Sequence, residues 1–128
     1  EEYVREGVYH DPDRCAELTQ ELLKLEVPPT CILMPDDISS IGGGNAIRRM
    51  GLRLPGDVSE AGYDGIQLSS VMNPPLTTYR QDTQALGKTA AAKLIELIEK
   101  PRTALVDRIL IPGRLVEGAS VQAIEPQE

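Results

Sequence analysis

Two rhythms of apolar and polar positions alternate along the 128 residues. Cys15, Leu18, Leu22 and Leu25 recur at steps of three and four, the spacing of one helical face. Asp11 is placed to cap that helix, with Pro12 at its first position and Pro28-Pro29 beyond its end. Residues 30–34 (TCILM) are almost wholly apolar, which suits a strand covered on both faces. A second helix is predicted over about 38–50, stopped by Gly51. A Pro-Gly loop then leads to a strand at 58–63, and one helical turn is expected within 65–72. Pro74-Pro75 precedes a strand at 76–80. Asp82 caps a long helix to about Glu99, with Leu86, Ala90, Leu94, Leu97 and Ile98 along one side. Residues 3–9 alternate weakly and read as a short strand; 109–111 and 114–116 read as short extended pieces. Strands separated by helices imply βαβ units, hence an α/β fold with a parallel sheet and helices on both faces.

Composition narrows this picture. A chain of this length is one domain by default, and 41% hydrophobic residues supply its core. With no Trp, no Phe and four Tyr, that core must be aliphatic. The net charge of -7 leaves no broad basic surface for phosphate neutralisation, so these residues are not expected to bind nucleic acid directly. Cys15 and Cys31 lack metal-ligand spacing and read as two reduced core thiols. His10 is the only histidine, which leaves little for a zinc site or a His-based triad. No apolar run approaches the about 20 residues of a membrane span, and the opening EEYVREG has no signal-peptide form.

Ligands of open parallel sheets bind beyond the carboxyl ends of the strands. Those ends place Tyr9, Asp36-Asp37 and Asp64 on one rim. A carboxylate can accept from two neighbouring hydroxyls, and a tyrosine ring offers a flat apolar surface. The set therefore suits a small, neutral, hydroxyl-rich ligand. Structural duties compete at each position: a helix N-cap for Asp37, a turn aspartate for Asp64, half-buried packing for Tyr9. The rim carboxylates could also hold a divalent cation, but their spacing is unspecific. Gly42-Gly43-Gly44 fails as a dinucleotide fingerprint, because Ile47 stands at its sixth position and two aspartates precede it. Such glycines instead thin a helix so that something packs closely. Glu60 stands where a buried strand would carry an aliphatic side chain. An isolated buried carboxylate is very costly, so Glu60 must be paired, exposed or beside a gap in the covering layer.

Several motifs recur together. Met50-Gly51-Leu52 is followed by Pro55, Asp57, Val58 and Ser59, then Gly62-Tyr63-Asp64, then Pro74-Pro75-Leu76-Thr77-Thr78 with Gln81 and Gly87. As an ordered set they resemble the carboxyl-terminal part of a LacI/GalR-family transcriptional regulator, over nearly the whole chain. The resemblance implies a partial type I periplasmic-binding-protein-like subdomain, lacking its first strand, in which the helix 82–99 crosses to another subdomain. It implies an effector-sensing and dimerisation portion of a sugar-responsive DNA-binding regulator, with operator DNA bound through a headpiece outside this sequence. A periplasmic sugar-binding protein of a transporter is the alternative. An enzyme is not expected, since no nucleophile, activated base or cofactor loop accompanies the aspartates; no cofactor or metal is expected either. The implied location is cytoplasmic and the implied assembly a homodimer.

By position, the resemblance assigns Asp64 to effector hydroxyls, Asp36 to the asparagine of a ligand-facing Asn-Asp pair, and Tyr9 to a stacking aromatic. Asp36 departs from that pattern by lacking the amide donor, Gly65 by replacing a common second aspartate, and Glu60 by replacing an aliphatic residue. Without a central first strand, residues 3–9 and 30–34 would have unpaired edges. They would either pair with each other or favour self-association, the outcome expected here.

Overall fold

Asp11 begins the folded order by accepting from Arg14 N, which fixes the start of α1 (Pro12–Leu23). The computed structural model describes residues 2–101 and 108–123. β1 (Cys31–Leu33) follows, then α2 (Asp37–Arg49), β2 (Ser59–Asp64), a 3-10 turn (Gln67–Ser70) and β3 (Thr77–Arg80). The elements end with α3 (Thr83–Glu99) and β4 (Arg114–Val116). The expected elements are thus present to within a few residues, except at 3–9 and 109–111, where no strand forms. Gly51 stops α2 as expected, at φ +79°, a conformation that side chains with a Cβ disfavour.

The chain divides into two compact units, residues 1–80 with 115–128 and residues 81–114. The first holds a sheet ordered β1-β2-β3-β4. β1 and β2 run parallel with Ile32 opposite Glu60, and β2 and β3 run parallel with Asp64 opposite Arg80. Its core joins Cys15, Leu22 and Leu23 of α1, Ile32 and Met34 of the β1 segment, Ile47 of α2, and Val58. Each large aliphatic side chain buried there contributes about 1.5–3 kcal/mol. The triple glycine does what a thinned helix allows: a Cβ on Gly42 would strike the backbone of Pro12, so α1 and α2 meet almost backbone to backbone.

Three expectations need correction. Residues 3–9 pair neither with 30–34 nor with another described strand; they stand across a trough from β1, which is an edge of the sheet. The run at 30–34 is not covered on both faces: Ile32 is buried, but Leu33 is 75% exposed. Both helices of this unit share the core of Ile32 and Met34, so they cover one sheet face, while Leu33, Tyr63 and Tyr79 on the other are exposed. For the same reason Cys31 is exposed and only Cys15 is a core thiol; neither forms a disulfide.

The second unit is dominated by α3, capped as predicted by Asp82, which accepts from Ala85 N at 2.8 Å. No residue of α3 is buried. Its apolar side is exposed, Ile98 to 70%.

Candidate functional site

The rim at the carboxyl ends of the strands is built around the start of α2. Asp36, rather than Asp37, is the N-cap, with its Oδ1 accepting from Ser39 N at 2.8 Å. Its Oδ2 accepts from Ser39 Oγ at 2.8 Å and from His10 N at 3.1 Å. The last bond ties the 9–10 turn, where His10 has φ 57°, to the helix start. Burial is the largest influence on the Asp36 carboxyl and pushes its pKa up. The bonds from Ser39 and His10 together outweigh it and hold the group below its ordinary value.

Asp37, one residue on, is also buried. Its Oδ1 accepts from Thr78 Oγ1 at 2.6 Å and its Oδ2 from Ile66 N at 2.9 Å. It therefore clamps α2 to β3 and to the loop that leaves β2. The small residue at Gly62 is required here, because a Cβ would lie 2.5 Å from Asp37 Oδ1. Thr78 Oγ1 in turn accepts from Gly65 N at 3.3 Å.

Asp64 stands at the tip of β2 with φ 106°, followed by Gly65 at φ 67°. Two successive left-handed residues turn the chain sharply there, and only glycine fits the second: a Cβ on Gly65 would strike Arg80. Arg80, opposite Asp64 in register, donates from Nε to Gly65 O at 2.9 Å. Asp64 is half-buried and Tyr9 is 70% exposed.

The structure thus brings Tyr9 and Asp36 to one corner through His10, and the Asp37 bonds carry that corner to the turn after Asp64. Asp36 does not face solvent: it is 0% exposed and its oxygens are taken by the chain itself. The competing cap duty falls on Asp36, and Asp37 serves as a clamp. Sequence reading missed His10 and Arg80 as rim residues. Arg80 was findable, since the strand-end rule that selected Asp64 applies equally to the end of β3. His10 was not, because its contribution is a backbone N–H. Among the described residues, no cluster of three His, Cys, Asp or Glu is arranged to hold a metal ion. No described helix is long and apolar enough to cross a membrane.

A second concavity, of about 680 Å³, lies between residues 3–9, α1 and β1. Tyr9, Leu18, Leu22, Ile32 and Leu33 line it, while neither Asp36 nor Asp64 does. It is a largely apolar trough along the open edge of β1 and not the carboxylate rim.

Comparison with known proteins fits this architecture. The family described as periplasmic binding protein-like domain matches residues 2–121. The HTH-type transcriptional repressor PurR of Aliivibrio salmonicida is 40% identical over 80 residues, covering 62% of this chain and 24% of its own length. The lactose operon repressor of Escherichia coli is 35% identical over 109 residues, covering 85% of this chain and 30% of the repressor. The chain spans 24–36% of the length of such curated relatives. Among solved structures, the lac repressor dimer bound to operator and an anti-inducer superposes with a TM-score of 0.77 at 33% identity, over 86% of this chain and 38% of that one. A LacI family regulator from Enterococcus faecalis with bound ribose superposes with a TM-score of 0.80 at 30% identity, over 90% and 42%. The chain therefore belongs to the periplasmic binding protein-like domain family, and over most of its length it is similar to LacI-type transcriptional repressors.

Proposed function

We propose that this chain is the effector-sensing and dimerisation portion of a sugar-responsive transcriptional regulator, a binding module and not an enzyme. The observation that carries the reading is the turn at Asp64–Gly65. A half-buried aspartate stands at a strand tip, and the turn that follows it is fixed by Gly65, Thr78 and Asp37. A rigid acceptor of this kind recognises paired hydroxyls without a large ordering cost. Tyr9 offers an exposed ring next to the His10–Asp36 corner, in the adjoining trough along β1 and not at the Asp64 turn itself. Asp36 positions the rim, and Arg80 holds the Gly65 carbonyl. Solved relatives bound to ribose and to lactose support a sugar as the class of effector. Relatives that are repressors favour a cytoplasmic regulator over a transporter's binding protein. Operator binding belongs to a separate headpiece, because this chain is acidic. The exposed apolar side of α3 (Leu86, Leu94, Ile98) supports pairing with another apolar surface in the dimer.

Calorimetric titration of the intact regulator with pentoses, hexoses and disaccharides tests the reading. One sugar should bind saturably, and Asp64→Ala should weaken it by about 1.5–3 kcal/mol, the range of a charge-assisted hydrogen bond. Unchanged affinity in a folded Asp64→Ala variant removes Asp64 from the site.

A further inference from the structure

Glu60 is 1% exposed, and its Oε1 meets no hydrogen-bond partner. It lies on the sheet face beneath α2. A Cβ on Gly43 would sit 2.6 Å from Oε1, and one on Gly44 would sit 3.0 Å from Oε2. The carboxyl therefore occupies the slot that these two glycines leave open. Of the three alternatives that the sequence leaves open, the gap in the covering layer is the one found, and Glu60 fills it.

The surroundings do not neutralise a negative charge. From α1, the facing titratable group is the Cys15 thiol, which burial and then the Glu60 charge push up to about 11. From the β1 segment comes the Met34 thioether, beside Gly43, and from the 52–57 loop Leu54, beside Gly44. From α2 come the Gly44 N–H and the charge of Arg48. Arg48, however, spends its guanidinium on Asn73 O and Asn45 Oδ1, both at 2.9 Å. Asp36 and Asp37 sit one to two turns away at the helix start and are occupied there.

We propose that Glu60 is a protonation-gated latch that seats α2 on β2. Neutral, its carboxyl fills the glycine slot at little cost. Ionised, it places in a closed space a charge that Arg48 and Gly44 compensate only in part, relieved by lifting α2 or admitting water. The proton passes to solvent, and no other partner is consumed. Because α2 carries Asp36 and Asp37 at its start, the seating of the rim follows the state of the latch. Burial raises the Glu60 pKa from 4.5 to about 8, against the smaller lowering influences of Arg48 and Gly44. A raised folded-state value means stability that is complete below pH 4.5, declines as pH rises, and is exhausted above about pH 8. Cys15 stays neutral throughout that window.

The test compares the protein with Glu60→Gln by urea denaturation between pH 5.5 and 9. Relative to the variant, the wild-type folding equilibrium constant should fall about tenfold per pH unit, then level off near pH 8. Protection of the Ala46 and Ile47 amides against exchange should fall in parallel. Parallel pH curves for the two proteins overturn the latch. If Glu60→Gln does not fold, carbon-13 NMR titration of the wild-type Glu60 carboxyl decides: a midpoint well above 6 supports the latch, and one between 4 and 5 overturns it.

Discussion

Helix α2 buries carboxylates at two places, and the two are treated in opposite ways. At its start, Asp36 and Asp37 accept five hydrogen bonds between them. At its middle, Glu60 of β2 lies against the same helix with Oε1 unpaired. The first turn of a helix has backbone N–H groups without intrahelical acceptors, and a carboxylate there meets donors and the favourable end of the dipole. The middle of a helix has few donors to spare, and Glu60 meets there one backbone N–H, that of Gly44. Ionised groups can thus be buried at the start of α2, while at its middle burial favours the neutral acid. The glycines at the middle supply room and one N–H, and leave Oε1 unpaired.

The sharpest way to break this contrast is to remove the clamp. Asp37→Ala should cost about 3 kcal/mol in urea denaturation, since Thr78 Oγ1 and Ile66 N both lose a charged acceptor. Asp37→Asn should recover part of that. An effect below about 1 kcal/mol would show that the pairing at the helix start is not what makes burial tolerable there.

Filling the slot probes the other region. Gly43→Ala places a methyl 2.6 Å from Glu60 Oε1 and against Met34 Cε. Overpacking of this kind costs about 1–3 kcal/mol. At an unobstructed helical glycine the same change would gain up to about 1 kcal/mol through propensity, so the sign is diagnostic. Pairing Gly43→Ala with Glu60→Ala should restore much of the loss in a double-mutant cycle. Additive effects would mean that the methyl collides chiefly with Met34.

Much of this was legible beforehand, for reasons that differ by residue. Asp11, Gly51 and Asp82 announced helix ends because capping is local and needs only the few residues around it. The parallel sheet followed from strands separated by helices. Asp64 was placed on a rim by the strand-end rule, and Gly42-Gly43-Gly44 was correctly assigned to close packing because its spacing excluded phosphate. Long-range facts were not legible. That residues 3–9 form no strand depends on a partner strand, and that Leu33 and Cys31 are exposed depends on what covers the far face. Neither is encoded in local periodicity. The exchange of roles between Asp36 and Asp37 turned on a one-residue shift of the helix start. Such a shift lies within the ordinary uncertainty of a boundary, yet it reverses which carboxylate caps and which clamps. Glu60 was flagged as anomalous at once, but only the packing shows which of its three possible explanations holds.

The smallest predicted effect separates capping from burial. Asp11 and Asp36 both accept from the N–H three residues on, at 2.9 Å for Arg14 and 2.8 Å for Ser39. Asp11 caps at the surface, whereas Asp36 also receives Ser39 Oγ and His10 N in a buried setting. Replacing an N-cap by alanine costs about 0.5–2 kcal/mol. Asp11→Ala should fall near the lower bound and Asp36→Ala near the upper, because the buried position also strands the His10 N–H. Acid titration sharpens the comparison. The folded-state pKa of Asp36 is depressed below 3.8, so its contribution is present above that pH and is lost as pH falls through the lower folded value. Asp36→Asn should therefore lessen the loss of stability below pH 4 seen in urea denaturation. Equal costs for the two alanine variants, together with acid profiles that superpose for wild type and Asp36→Asn, would mean that the bonds from Ser39 Oγ and His10 add nothing to an ordinary surface cap.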